Sequence, residues 1–157
     1  MRRSLLILAL GVSAGCSEAS PTAVRADELT GSWQTPRQTL SPSGSYQTTL
    51  TFAADGGVTY EVRNYGLYPG QRADDLASYS RTYSRYETAG DTVILHPARV
   101  VTWDKFYGAQ SPERVEEIHD GSVRWNVVVY GDQLMVNYTT YPADAPVLTT
   151  VVYRRVR

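Results

Sequence analysis

The chain has 157 residues, with 15 basic and 16 acidic side chains for a formal net charge of −1, and 42% of its residues are hydrophobic. That balance is enough to build a sizeable core and excludes a disordered, highly charged chain. It offers no basic surface for nucleic acid, and a single cysteine excludes an intramolecular disulfide.

The first element in chain order is a targeting segment. Arg2 and Arg3 make a positive start, Leu5 to Leu10 an apolar centre, and Ser13, Ala14 and Gly15 a run of small residues. It is shorter than the roughly 20 apolar residues a membrane span needs. The small residues end at Cys16. Ser13-Ala14-Gly15-Cys16 resembles the lipobox of bacterial lipoproteins, with Ser13 where that family usually has Leu. The resemblance implies that Cys16 is diacylated on sulfur by chains of the palmitate type, becomes the N-terminus after cleavage, and is then acylated on its amine. Each buried CH₂ contributes about 0.8 kcal/mol to membrane binding, so several chains hold a protein on a bilayer stably. The alternative is an ordinary secretory signal cut elsewhere. Ser17 lacks the aspartate that retains enteric lipoproteins at the inner membrane, so the resemblance implies a cell-envelope protein, lipid-anchored and favouring the outer membrane. Cleavage also removes Arg2 and Arg3, leaving 13 basic against 16 acidic side chains.

The expected organisation is a signal peptide over 1–15, the lipidated cysteine and a tether over 16–28, and one domain over 29–157. "SEASPTAVRA", Ser17 to Ala26, has small residues and no periodicity, as a tether should. From Leu29 the pattern becomes alternation of period two, as in Tyr46, Thr48, Leu50, Phe52 and in Val58, Tyr60, Val62. Asp55-Gly56, Gly90-Asp91, Asp120-Gly121 and Gly131-Asp132 are hairpin signals between such runs. The pattern predicts strands over 31–36, 45–53, 58–64, 79–89, 92–101, 113–119, 123–130, 133–140 and 148–156, with a turn or two of helix within Pro69 to Ser78. The predicted fold class is all-β: an antiparallel up-and-down meander closing into a barrel of eight or nine strands, which removes exposed edges.

The ends of this domain carry a second resemblance. Gly31-Ser32-Trp33 opens it and "VVYRRVR", Val151 to Arg157, closes it. Together with the "YETAGDTVIL" and "YGDQLMV" hairpins these are similar to the lipocalin-like, or calycin, pattern, whose last strand supplies an arginine that packs across the first-strand tryptophan at the barrel floor. Arg154 and Arg155 face opposite sides of a strand, so one of them reaches Trp33. Alternation does not choose between them; the resemblance favours Arg155.

Chemistry is sparse. There is no G-x-S-x-G, Walker or Rossmann pattern, and His96 and His119 have no triad-like spacing. No enzymatic activity, cofactor or metal is expected. "ERVEEIHD", Glu113 to Asp120, crowds acidic groups around His119, but alternation splits Glu117 and His119 from Glu116, Ile118 and Asp120, as in a solvated strand. More informative is "SYSRTYSRYET", Ser78 to Thr88, whose faces differ. Charge is costly inside a barrel, so Ser80, Thr82, Ser84 and Tyr86 should point inward, away from Arg81 and Arg85. Leu50, Phe52, Tyr60, Trp125 and Tyr138 should face them by parity, giving either a pocket with a few hydroxyl groups or a packed, polar-tinged core. "TWDKFYGAQSP", Thr102 to Pro112, with Trp103, Phe106 and Tyr107, either covers the barrel mouth, meets a partner or membrane, or seals the core end. Three functions remain open: a membrane-anchored lipocalin-like module binding a small, partly apolar ligand, which leads; an envelope protein-interaction or inhibitor module with a filled barrel; and, last, an enzyme with an unrecognised site.

Overall fold

Among the residues the structure describes, ten strands, one short α-helix and one 3-10 turn form, and nine of the strands fall where the alternation predicts them. The computed structural model describes residues 23–40, 44–107, 111–141 and 145–157. Cys16 and the expected targeting segment, 1–15, lie outside these residues. After helix α1 (Ala26–Leu29) come β1 (Gly31–Gln34), β2 (Gln38–Leu40), β3 (Gly44–Phe52), β4 (Gly57–Tyr65) and β5 (Leu76–Ala89). The chain continues through β6 (Thr92–Asp104), a 3-10 turn (Lys105–Tyr107), β7 (Arg114–Glu117), β8 (Val123–Tyr130), β9 (Gln133–Thr140) and β10 (Val147–Arg155).

The sheet closes on itself. β1 pairs with β10 on one side and with β3 on the other, so β1, β3, β4, β5, β6, β8, β9 and β10 form an eight-stranded antiparallel barrel. β2 extends the pairing along β3, and β7 lies on β6. The hairpins at 53–57, 89–92 and 130–133 form as expected; at the first, Gly56 has φ +81° and the Asp55 carboxylate accepts the Gly57 amide at 2.9 Å.

Three expectations change. Asp120-Gly121 does not make a hairpin, because β7 and β8 pair with successive stretches of the same edge of β6 and not with each other. The edge changes partner around Pro97, which has no amide to donate, and Ala98, which a bulge opposite Tyr83 and Ser84 leaves without a partner on β5 while its carbonyl accepts the Ile118 amide at 2.8 Å. Pro69 to Ser78 holds turns and the start of β5 rather than helix. The tether expected to run to residue 28 gives way to folded structure at Val24, which is buried and donates its amide to Gly90 O at 2.8 Å, ahead of α1.

The closed pole is built around Trp33, which is fully buried. Its indole Nε1 donates to Leu29 O at 2.7 Å, and the Arg155 guanidinium lies 4.0 Å from its ring centroid. Arg155 also donates to Thr30 O (2.8 Å) and Glu28 O (2.7 Å), tying α1 to the last strand. Gly31 has φ +121°, and a Cβ there would sit 3.1 Å from Arg155 Nη1. Glycine is therefore needed in the Gly-x-Trp triplet for backbone conformation and for close approach. Above Trp33 the barrel is packed by Leu50, Phe52, Val58, Val93, Val127 and Leu134, all buried. Phe52 meets the Tyr86 ring edge-on at 5.1 Å.

Candidate functional site: a polar chamber at the open end

The packed core stops at a layer of three rings. Tyr60 on β4 meets Trp125 on β8 edge-on at 6.2 Å, and Trp125 meets Tyr138 on β9 at 6.4 Å, so rings from distant strands span the interior. Burial pushes the Tyr60 phenol above its ordinary pKa, and does the same more strongly to Tyr153 below it. These groups sit in a low-dielectric interior.

Above the layer the lining changes character. Paired residues share a face, so the ladder places Val62, Ser80, Thr102 and Arg114 in one rung across β4, β5, β6 and β7. Asn64, Ser78 and Asp104 form the next rung toward the mouth. These residues, with Tyr79, Trp103 and the 111–112 loop, enclose a chamber of about 480 Å³, within the range of small-molecule sites. Asn64 Nδ2 donates to Ser78 Oγ at 3.0 Å. Asp104 Oδ1 accepts the Tyr68 hydroxyl at 2.6 Å and the Phe106 amide at 2.8 Å. A second hollow of about 410 Å³, lined by Tyr68, Gln71 and Phe106 among others, adjoins the chamber across that Tyr68–Asp104 bond.

The outer face of the same wall is covered by its own side chains. Glu61, buried, pairs with Arg81 and Arg63; Arg81 lies over the Tyr79 ring at 4.5 Å; and Tyr79 stacks on Trp103 at 5.8 Å. Loss of solvent and a hydrogen bond to Glu113 push the Tyr79 phenol above its ordinary pKa.

Of the residues expected to line a pocket, Ser80 lines the chamber. Thr82 and Ser84 face inward below it, paired with Tyr60 and Val58. Tyr60, Trp125 and Tyr138 make the ring layer, while Leu50, Phe52 and Tyr86 belong to the packed core beneath. Trp103 is part of β6, not a loop; Phe106 is 73% exposed and tilts against Tyr68 at 5.8 Å. Residues 108–110 of that segment lie outside the described ones. Around Glu113 to Asp120, β7 is solvent-exposed along its length, and among the described residues no three metal-ligating side chains converge.

Sequence reasoning missed Asn64, Ser78, Thr102, Asp104 and Arg114. Ser78 and Asn64 were within reach, since each shares parity with a residue already placed inward. Thr102 and Asp104 were hidden by the Ala98 bulge, which inverts the alternation of β6. Comparison of the chain with protein-family models, curated proteins and solved structures finds no match.

Proposed function

We propose that the chain is an envelope lipoprotein anchored through acylated Cys16, whose lipocalin-like barrel binds a small molecule at its open end. The observation that carries the binding part is the chamber: an eight-stranded barrel can be filled by side chains, yet here packing ends at the Tyr60–Trp125–Tyr138 layer and a hydroxyl-lined space remains above it. The anchor part is supported by the Ser13-Ala14-Gly15-Cys16 sequence, and the lipocalin-like part by the Gly31-x-Trp33 and Arg155 arrangement at the floor. Native mass spectrometry of protein extracted from its own membrane tests both parts. The expected result is an acyl mass on Cys16 and a separate, dissociable small-molecule mass. Failure of tagged palmitate to enter the wild-type chain removes the anchor, and protein that never carries a second mass counts against the ligand.

A second reading, the protein-interaction module, has one observation in its favour. Val128, Met135 and Val152 stand side by side across β8, β9 and β10 on the outer face, each more than a third exposed. Met135→Glu would disrupt a partner contact there and leave the chamber untouched.

A further inference from the structure

We propose that the chamber at the open end takes a neutral saccharide of one or two rings from the aqueous side, not an acyl chain; this rests on the reading of the chamber as the ligand site. Depth is the first argument. An extended acyl chain needs a long apolar channel, but the way into the barrel is closed by Tyr60, Trp125 and Tyr138, and the space beneath is packed with Phe52, Leu50 and Val58.

The chemistry of the lining is the second. Ser78, Ser80 and Thr102 hydroxyls each donate and accept, the Asn64 amide does both, Asp104 only accepts and Arg114 only donates. A polyol hydroxyl, itself donor and acceptor, matches that set. One carboxylate and one guanidinium leave the chamber without net charge, so nothing in it selects a charged ligand. Tyr68 and Phe106 of the adjoining hollow add aromatic surface, whose negative faces attract the C–H groups of a sugar ring. The adjoining hollow carries an independent sign. There the buried Gln71 Nε2 is the one buried side-chain polar atom without a hydrogen-bond partner among the described residues. Turned toward that hollow, the amide would find its acceptor in a second sugar ring lying against Tyr68 and Phe106.

The direction of approach is the third. The chain joins the barrel at Val24, bonded to Gly90 at the β5–β6 hairpin, while the chamber is at the other end of those two strands. Ser80 and Ala89, the last residue of β5 before Gly90, are nine residues apart, about 30 Å of strand. A chain tethered through its N-terminal side thus turns its mouth away from the bilayer.

Titration calorimetry on the detergent-solubilised full chain tests this, with glucose, N-acetylglucosamine, their β-linked disaccharides and palmitate as probes. At least one disaccharide should bind. Ser80→Leu, which puts an alkyl group into the chamber, should weaken it more than about tenfold, and Gln71→Leu, which removes one donor, by about tenfold or less. Should Ser80→Leu fail to fold, Gln71→Leu and Asp104→Asn carry the test, both changes lying near the mouth. Palmitate binding that Ser80→Leu abolishes would keep the chamber as the ligand site and overturn the saccharide class. Silence from every probe would overturn the saccharide proposal and count against the ligand-binding reading, and disaccharide binding indifferent to all three substitutions would place the sugar elsewhere.

Discussion

The Trp33–Arg155 pair ties the closed pole together, because one guanidinium covers the indole and donates to two carbonyls at the end of α1. Truncating Trp33 to Ala should cost about 3–5 kcal/mol, seen as a lower denaturant midpoint. In a double-mutant cycle, Trp33→Phe should couple to Arg155→Met, since a guanidinium on a buried ring contributes about 0.5–2 kcal/mol, and should be additive with the exposed Arg154→Met. Tyr153 gives a pH prediction. Its phenol has a folded pKa raised by burial above the ordinary value of 10.0, so the unfolded chain loses that proton first. Its contribution to stability is complete below about pH 10 and falls as pH rises through the folded value. Alkaline titration should therefore show unfolding together with tyrosinate absorbance, and Tyr153→Phe should make stability less dependent on pH in that range.

At the scale of elements, α1 is too short to be stable alone. It is held by Leu29, fully buried under Trp33, and by Val24 against the β5–β6 hairpin. Leu29→Ala should cost about 2–5 kcal/mol, measured by thermal or denaturant unfolding, although it removes none of the barrel's hydrogen bonds. The β6 bulge has the opposite consequence: it creates the site rather than supporting the core. By inverting parity between Pro97 and Arg99 it brings Thr102 and Asp104 onto the interior face beside Ser80 and Ser78.

For the whole molecule, the proposed anchor and the fold together set an orientation. Residues 17–22 span at most about 25 Å between Cys16 and the folded domain when fully extended. With acylation at Cys16, a spin label at Tyr130→Cys near the closed pole should be broadened by lipid-soluble relaxation agents more than one at Arg72→Cys near the mouth; equal broadening would contradict the orientation. If the proposed anchor holds, Cys16→Ser should move the protein from the membrane fraction to the soluble fraction and leave the unfolding midpoint of the barrel unchanged.

Alternation and turn residues are local properties, and they determined much of this protein: most strand positions, three hairpins, the inward face of β5 from Ser80 to Tyr86, and the all-β barrel class. A strand exposes its two faces at every second residue whatever its neighbour, so Leu50, Phe52, Tyr60, Trp125 and Tyr138 were placed inward without knowledge of their contacts. Which inward residues pack and which leave space depends on partners far apart in sequence. Tyr60 and Trp125 are separated by 65 positions, yet their rings help close the core below the chamber. The pairing of β1 with β10, the shift of β7 onto β6, and the bulge that turns Asp104 inward are likewise decided only when the sheet closes. Closure sets a register around the whole ring, and no single strand contains that information.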